Sequence, residues 1–142
     1  MAGLEELLKA HPELIDTSLT AIVQATARQI GDEDLGVRRA TLSFLNCVLN
    51  LAPSTSLQPH AHTLLLFTTS ALSHIFPEIR VDASRVLNHL LGHFSTMVVK
   101  GWDSDNFVSR HSGSGLRILH ALLALLHASP KENKDLGRYP PG

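Results

Sequence analysis

The residues best suited to bind a metal ion are two of the nine histidines, His89 and His93. They stand at i and i+4 of a helical segment, so their imidazoles share one face and could share a cation such as zinc. The segment HLLGH lacks the glutamate of a zinc-protease helix, and no third ligand is evident nearby. His60 and His62 also lie close together without a further ligand. We therefore expect no metal site and no cofactor.

Cysteine chemistry is limited to Cys47, the single cysteine of the chain. One cysteine cannot form an internal disulfide, and nothing in the neighbouring sequence indicates a reactive thiolate. The tract SGSG, residues 112–115, lacks the lysine and the preceding strand of a phosphate-binding loop. The sequence therefore predicts no catalytic residues and a protein that is not an enzyme.

The composition bounds the fold and the environment of the chain. Of its 142 residues 44% are hydrophobic but only 5% aromatic, which favours helices packed on helices over a β-sandwich. The net charge of −1 gives direct RNA binding no support, although it leaves that contact open. The amino-terminal segment has no secretory pattern, and the apolar stretch 118–128 is too short to cross a bilayer. We expect a soluble intracellular protein.

Proline and glycine divide the chain into segments of helical length. A break is predicted around Pro12, Gly31 ends a helix, and Asp32 or Asp34 caps the next one. Pro77 opens a further helix. The predicted helices span about residues 4–10, 17–30, 34–51, 60–75 and 77–94.

An internal repeat is the strongest signal. Residues 37–49 (VRRATLSFLNCVL) align with residues 79–91 (IRVDASRVLNHLL) at an offset of 42 residues, and the preceding helices align at the same offset. A period of about 40 to 47 residues built from two helices is typical of HEAT or armadillo repeats. The aligned pairs that define the repeat are Val37 with Ile79, Arg38 with Arg80, Leu45 with Leu87, and Leu49 with Leu91.

The predicted fold is therefore an all-α, HEAT/armadillo-like α-solenoid of antiparallel helix pairs with an irregular last repeat. Each pair has an apolar stripe that it cannot bury alone, so neighbouring pairs must stack. The last predicted helix has an apolar stripe with the same residue spacing, but it does not follow the second repeat at the offset of 42 residues. The members of this stripe are Ile118, Leu119, Leu122 and Leu123.

Five residues are candidates for contacts. Arg38 and Arg80 begin the second helix of each pair. They either meet RNA phosphate or an acidic partner, or each pairs with an Asp or a helix C-terminus in the next repeat and holds the stack together. Arg39 and Arg85 are better candidates for exposed partner contacts. Trp102, the single tryptophan, either anchors a partner or fills the last repeat.

Longer blocks carry a resemblance to a known family. The segment PEIRVDA follows the HEAT pattern, and it lies in an ordered series: GLEELLKAHPELI, GDEDLGVRRATLSFL and LLLFTTSALSHIFPEIRVDASRVLNHLLGHF. Together these blocks resemble the amino-terminal domain of the pre-ribosomal-RNA-processing subunit of the Rix complex, in the testis-expressed protein ten family. The resemblance covers about residues 3–100, and the segment KGWDSDNF is similar to the Trp-containing segment that follows in the family. We divide the chain into HEAT-like repeats (1–100), an irregular third repeat (101–128) and a disordered tail (129–142).

The resemblance implies a nuclear scaffold, in the nucleolus or nucleoplasm, without catalytic residues. Its implied partners are the other Rix subunits, the precursor of the 60S subunit and, indirectly, a midasin-type AAA ATPase, with no membrane. There it supports removal of an internal transcribed spacer from pre-rRNA. A generic HEAT-repeat adaptor that binds peptides or proteins is the alternative function.

Overall fold

The computed structural model describes residues 1–99 and 114–135, which are helical and contain no strand. The all-α class predicted from the composition is therefore confirmed. None of the described helices has the length and hydrophobicity that a membrane crossing needs. The helices are α1 (Ala2–Ala10), α2 (Glu13–Arg28), α3 (Leu35–Leu51), α4 (Ser54–Leu57), α5 (Ala61–Leu72), α6 (Pro77–Val99) and α7 (Ser114–Asp135), and a turn of 3-10 helix (Gln58–His60) joins α4 to α5.

The helix ends follow the proline and capping signals of the sequence. The break between α1 and α2 falls at His11 and Pro12, and α3 ends just before Pro53. Asp34 is the N-cap of α3, and its Oδ1 accepts a hydrogen bond of 2.9 Å from the Val37 backbone N–H. That bond satisfies one of the backbone donors that have no partner within the helix.

One local feature differs from the prediction, and another agrees with it. The short helix α4 and the 3-10 turn fill a stretch for which the sequence predicts no helix, and Leu57 places its side chain in the core there. The helix that begins at Pro77 ends its regular geometry at Phe94, as predicted (φ −131°, ψ 35°), and a further helical segment continues α6 to Val99. The Phe94 side chain is nevertheless buried, so the break falls at a packed residue.

The helices contact one another in two rows. Helix α5 packs against α2 on one side and α7 on the other, while α3 packs between α1 and α6. Contacts between the rows join α1 to α2, α2 to α3, α5 to α6 and α6 to α7. One apolar core runs between the rows, and its largest fully buried side chains are Ile15, Ile30, Leu45, Leu49, Leu57, Leu64, Leu65, Leu72, Ile79, Leu90, Phe94 and Ile118.

Helix α7 buries a different face from the one predicted. Ile118 and Ala121 are buried and Leu122 is partly buried, whereas Leu123 of the predicted stripe is 43% exposed. Leu125, and not Leu123, completes the packed face, because α7 lies against both α5 and α6 and presents residues at i, i+3, i+4 and i+7. The inclusion of Leu123 in the stripe is therefore wrong. The helix continues to Asp135, past the predicted start of the tail at residue 129.

Candidate protein-interaction surface

Arg38, in the first turn of α3, is clamped by its own repeat and paired with the next one. Its Nη1 donates to the backbone carbonyls of Asp32 and Glu33 at 2.8 and 2.9 Å. Its Nε donates to Asp82 Oδ2 on α6 at 2.7 Å. The Arg38 side chain is 3% exposed and that of Asp82 12%, so this ion pair is desolvated and links the two helices.

Arg80, which aligns with Arg38, repeats the carbonyl clamp in the second pair. Its Nη1 donates to the carbonyls of His74 and Ile75 at 2.9 and 3.1 Å, again six and five residues before the arginine. The identical geometry supports the offset of 42 residues at the level of single hydrogen bonds. In the described part of the chain, however, no carboxylate lies within ion-pairing distance of Arg80.

The loop before each arginine repeats a second hydrogen bond. Asp32 Oδ1 accepts from the Asp34 N–H at 2.9 Å, and His74 Nδ1 accepts from the Phe76 N–H at 3.2 Å. A side chain of different chemistry thus closes the same turn in both pairs. The two loops therefore hold the carbonyls in the same orientation toward the arginine.

The preceding helices repeat a third hydrogen bond. Thr26 Oγ1 donates to the Ile22 carbonyl at 2.7 Å, and the aligned Thr68 donates to the Leu64 carbonyl at 2.8 Å. Both threonines are buried, and such a bond satisfies a hydroxyl that the packing of α2 on α5 would otherwise leave without a partner.

Arg39 and Arg85 were predicted to be exposed, and one of them, Arg85, is bonded to the buried carboxylate of Asp82. Arg85 Nη1 donates to Asp82 Oδ1 at 2.9 Å, although the Arg85 side chain remains 58% exposed. Asp82 therefore receives two guanidinium groups, one from each helix. Arg39 is exposed on α3, where it is available to a partner.

The other residues singled out in the sequence lie as follows. Cys47 and His89, which align in the repeat, are both half-buried, as is His93. Across the described residues, no group of three or more His, Cys, Asp or Glu is placed to hold a metal ion. Trp102 lies outside the described residues. Of the repeat positions, Leu45, Leu49, Ile79 and Leu87 are buried in the core, and Val37 and Leu91 are half-buried.

Two grooves border α7. The larger, of about 500 Å³, runs between α5 and α7, and the smaller, of about 250 Å³, lies between α7 and the loop that precedes α6. The larger is lined by Thr69, Ser73, Leu116, Arg117, His120, Ala121 and Ala124. Arg80 lines the smaller one, together with Leu72, Ser73, His74, Ala121, Ala124 and Leu125.

The prediction that Arg38 pairs with an Asp of the next repeat is confirmed, but the sequence did not identify that residue as Asp82. The available signal was its position, because Asp82 stands on the same helical face as the buried Ile79, Ala83 and Val86. A carboxylate on such a face needs a cationic partner. The carbonyl clamp has no comparable signal, since main-chain acceptors do not depend on residue type.

Comparison with known proteins finds a family whose model matches this chain. Residues 55–138 match the model of a family described as a Rix1 complex component involved in 60S ribosome maturation. The match extends past residue 100, where the resemblance seen in the sequence ends, and it includes the described part of α7. No solved structure gives a significant match to the chain.

Curated relatives match a similar share of the chain. The Testis-expressed protein 10 homolog of Danio rerio is 33% identical over 94 residues, which are 66% of this chain and 10% of the relative. The Pre-rRNA-processing protein ipi1 of Schizosaccharomyces pombe is 28% identical over 88 residues, 62% of this chain and 21% of the relative. The Pre-rRNA-processing protein IPI1 of Debaryomyces hansenii is 31% identical over 99 residues, 70% and 26% respectively. The chain thus spans about a quarter or less of these relatives.

Proposed function

This chain belongs to the family of Rix1 complex components involved in 60S ribosome maturation, and we propose that it acts there as a non-enzymatic scaffold. In this role its stacked helix pairs bind other subunits of the complex and hold them on the precursor of the large ribosomal subunit. The names of the yeast relatives add pre-rRNA processing to the family description. We place the chain in the nucleus, nucleolar or nucleoplasmic, since that is where this precursor is processed.

The observation that carries the scaffold role is the repeated arginine clamp. Arg38 and Arg80 make the same pair of carbonyl bonds at the offset found in the sequence, and the helices of each pair stack on those of the next. We infer a HEAT-like solenoid over residues 1–100 and, after it, an irregular third repeat that includes α7 and continues past the predicted boundary at residue 128. Stacked repeats present extended faces that suit binding to several proteins at once.

The finer parts of the proposal follow from the family resemblance. The scaffold supports removal of an internal transcribed spacer from the precursor RNA, and it contributes indirectly to remodelling by a midasin-type AAA ATPase. Candidate contacts are Arg39, which is exposed, and Arg85 and Trp102. A generic HEAT-repeat adaptor would use the same architecture with other partners, and it is the second candidate function.

A pull-down from nuclear extract tests the scaffold role. The tagged chain, shown to be folded by circular dichroism, is used as bait, and bound material is analysed by mass spectrometry and by sedimentation. We expect the other Rix subunits and spacer-containing precursor RNA in the large-subunit fractions. Arg39→Glu should retain the helix content of the chain and reduce this recovery, because it reverses an exposed charge without removing a described hydrogen bond.

Two results would contradict the proposal. If the folded chain recovers transport or phosphatase subunits and no precursor RNA, the adaptor function replaces the scaffold. If the chain recovers neither, the surface described here does not bind the complex. Arg85→Glu is a poor control, because it would place a carboxylate beside Asp82 and disturb the fold itself.

A further inference from the structure

We propose that Arg80 and the small groove beside it form a carboxylate-binding site, which receives an acidic side chain from an amphipathic helix of a partner protein. This inference rests on the scaffold role proposed above and identifies the chemistry of one of its contacts. It derives from the internal repeat, because one copy of the site has a carboxylate bound and the second copy has none among the described residues.

The filled copy is the site at Arg38. Two backbone carbonyls hold Nη1, so the guanidinium is oriented before it meets a partner, and Nε then donates to Asp82 of the adjoining helix. A guanidinium fixed in this way loses little side-chain freedom on pairing, which favours a short charge-assisted hydrogen bond.

The open copy is the site at Arg80. The same two carbonyl bonds hold Nη1, and Nε has no acceptor among the described residues. Arg80 is half-buried where Arg38 is buried. Another aligned pair shows the same difference, because Leu49 on α3 is 1% exposed while Leu91 on α6 is half-buried. The helix α6 therefore has a side that is less covered than its equivalent on α3.

The surroundings of Arg80 favour a carboxylate on a helix over a phosphate. The groove of about 250 Å³ has an apolar wall formed by Leu72, Ala121 and Leu125. In the filled copy the carboxylate belongs to α6, where Asp82 shares a face with Ile79 and Val86. A partner helix with one acidic residue within an apolar face would match both the charge and the wall. Nucleic acid would need a broader basic patch than the net charge of −1 indicates.

The experiment uses a helix of known sequence as the probe. A fluorescent peptide with the sequence of residues 77–93 carries the helix that Arg38 accepts within the chain, and its binding to the purified 142-residue chain is measured by anisotropy. We expect saturable binding that Arg80→Gln weakens about tenfold, because one partner of a partly buried charge pair is removed. Arg28→Gln removes the same charge from an exposed site at the end of α2 and should leave the affinity unchanged.

A second peptide separates direct pairing from a change in the fold. Replacing the aspartate of the peptide (Asp82→Asn) should weaken binding to the unaltered chain about as much as Arg80→Gln does, and should have little further effect on the Arg80→Gln variant. Circular dichroism and thermal melting establish that this variant is folded. Equal affinities of both peptides for the unaltered chain would overturn the proposal.

Two further results would also overturn it. One is that the peptide does not bind. The other is that single-stranded oligouridine, and not the peptide, binds in a way that depends on Arg80, which would make the site a phosphate site. The measurement is independent of the pull-down. Arg80-dependent peptide binding without recovery of precursor particles would refute the scaffold role alone, and the reverse pattern would refute this site alone.

Discussion

Asp82 joins α6 to α3 through a largely buried ion pair. It is a carboxylate within an apolar face, and it accepts from Arg38 at 2.7 Å and from Arg85 at 2.9 Å. Burying a charge is unfavourable unless it is paired, so the aspartate and its cations stabilise the fold only together. The Arg38 side chain is more buried than that of Arg85. If Arg38 is removed, water is therefore less able to solvate the carboxylate on that side.

Substitutions at the aligned Arg38 and Arg80 measure how much the ion pair with Asp82 contributes to stability. Arg38→Gln should lower the free energy of unfolding by about 3 kcal/mol, because it leaves a largely buried carboxylate with a single exposed partner. Arg80→Gln removes the equivalent pair of carbonyl bonds but no ion pair with a described residue, and should cost about 1 kcal/mol. Urea denaturation followed by circular dichroism gives both values. If the two substitutions cost the same, the bond to Asp82 adds no stability.

The helical elements were largely predictable because their ends carry local chemical signals. Pro12, Asp34 and Pro53 act within a few residues of their own positions. A single sequence therefore suffices to place the breaks and to limit the cap to Asp32 or Asp34, of which the structure shows Asp34. The repeat was also visible, because the aligned leucines occupy equivalent core positions. An Asp of the next repeat was expected as a partner of Arg38, but Asp82 was not identified, because the two residues are 44 positions apart in sequence.

The elements that were not predicted depend on tertiary contacts. The helical segment that continues α6 past Phe94 was not predicted, and the face that α7 buries is decided by its two neighbouring helices. Both Leu123 and Leu125 can extend an apolar stripe that contains Ile118 and Leu122. Helical periodicity alone therefore did not show that Leu125 packs against the core and Leu123 does not. The open site at Arg80 likewise required knowing where the carbonyls lie.

Substitutions at aligned leucines test the repeat at the level of whole helices. Leu45→Asp and Leu87→Asp should each unfold the domain, because both side chains are almost fully buried and neither position has a described cationic partner. Loss of helical circular dichroism is the measurement. Leu66→Asp, at an exposed position of α5, is the matched control and should leave the signal intact. Unchanged melting of the Leu45 and Leu87 variants would mean that the repeat register is wrong.

At the scale of the whole molecule, the two rows of helices bury one continuous core. Helices that contact only their neighbours can unfold separately when the contacts between them are weak. Here the core passes from Leu8 on α1 to Ile118 on α7 without interruption, and α7 contacts both helices of the second pair. We therefore infer that α7 belongs to the same cooperative unit as the two aligned pairs, although its packing differs from theirs.

A truncation of Ile118 tests that inference. Ile118 is 0% exposed, so Ile118→Ala should lower the free energy of unfolding by about 2 to 4 kcal/mol through lost burial and the cavity left behind. If α7 unfolds with the rest, hydrogen exchange should accelerate equally in the slowest amides of α2 and α3, and denaturation should remain a single transition. Leu126→Ala, at a position that is 69% exposed, should change neither measurement. Faster exchange confined to α7 and α6 would instead mean that the last helix folds as a separate unit, and that the first two pairs are stable without it.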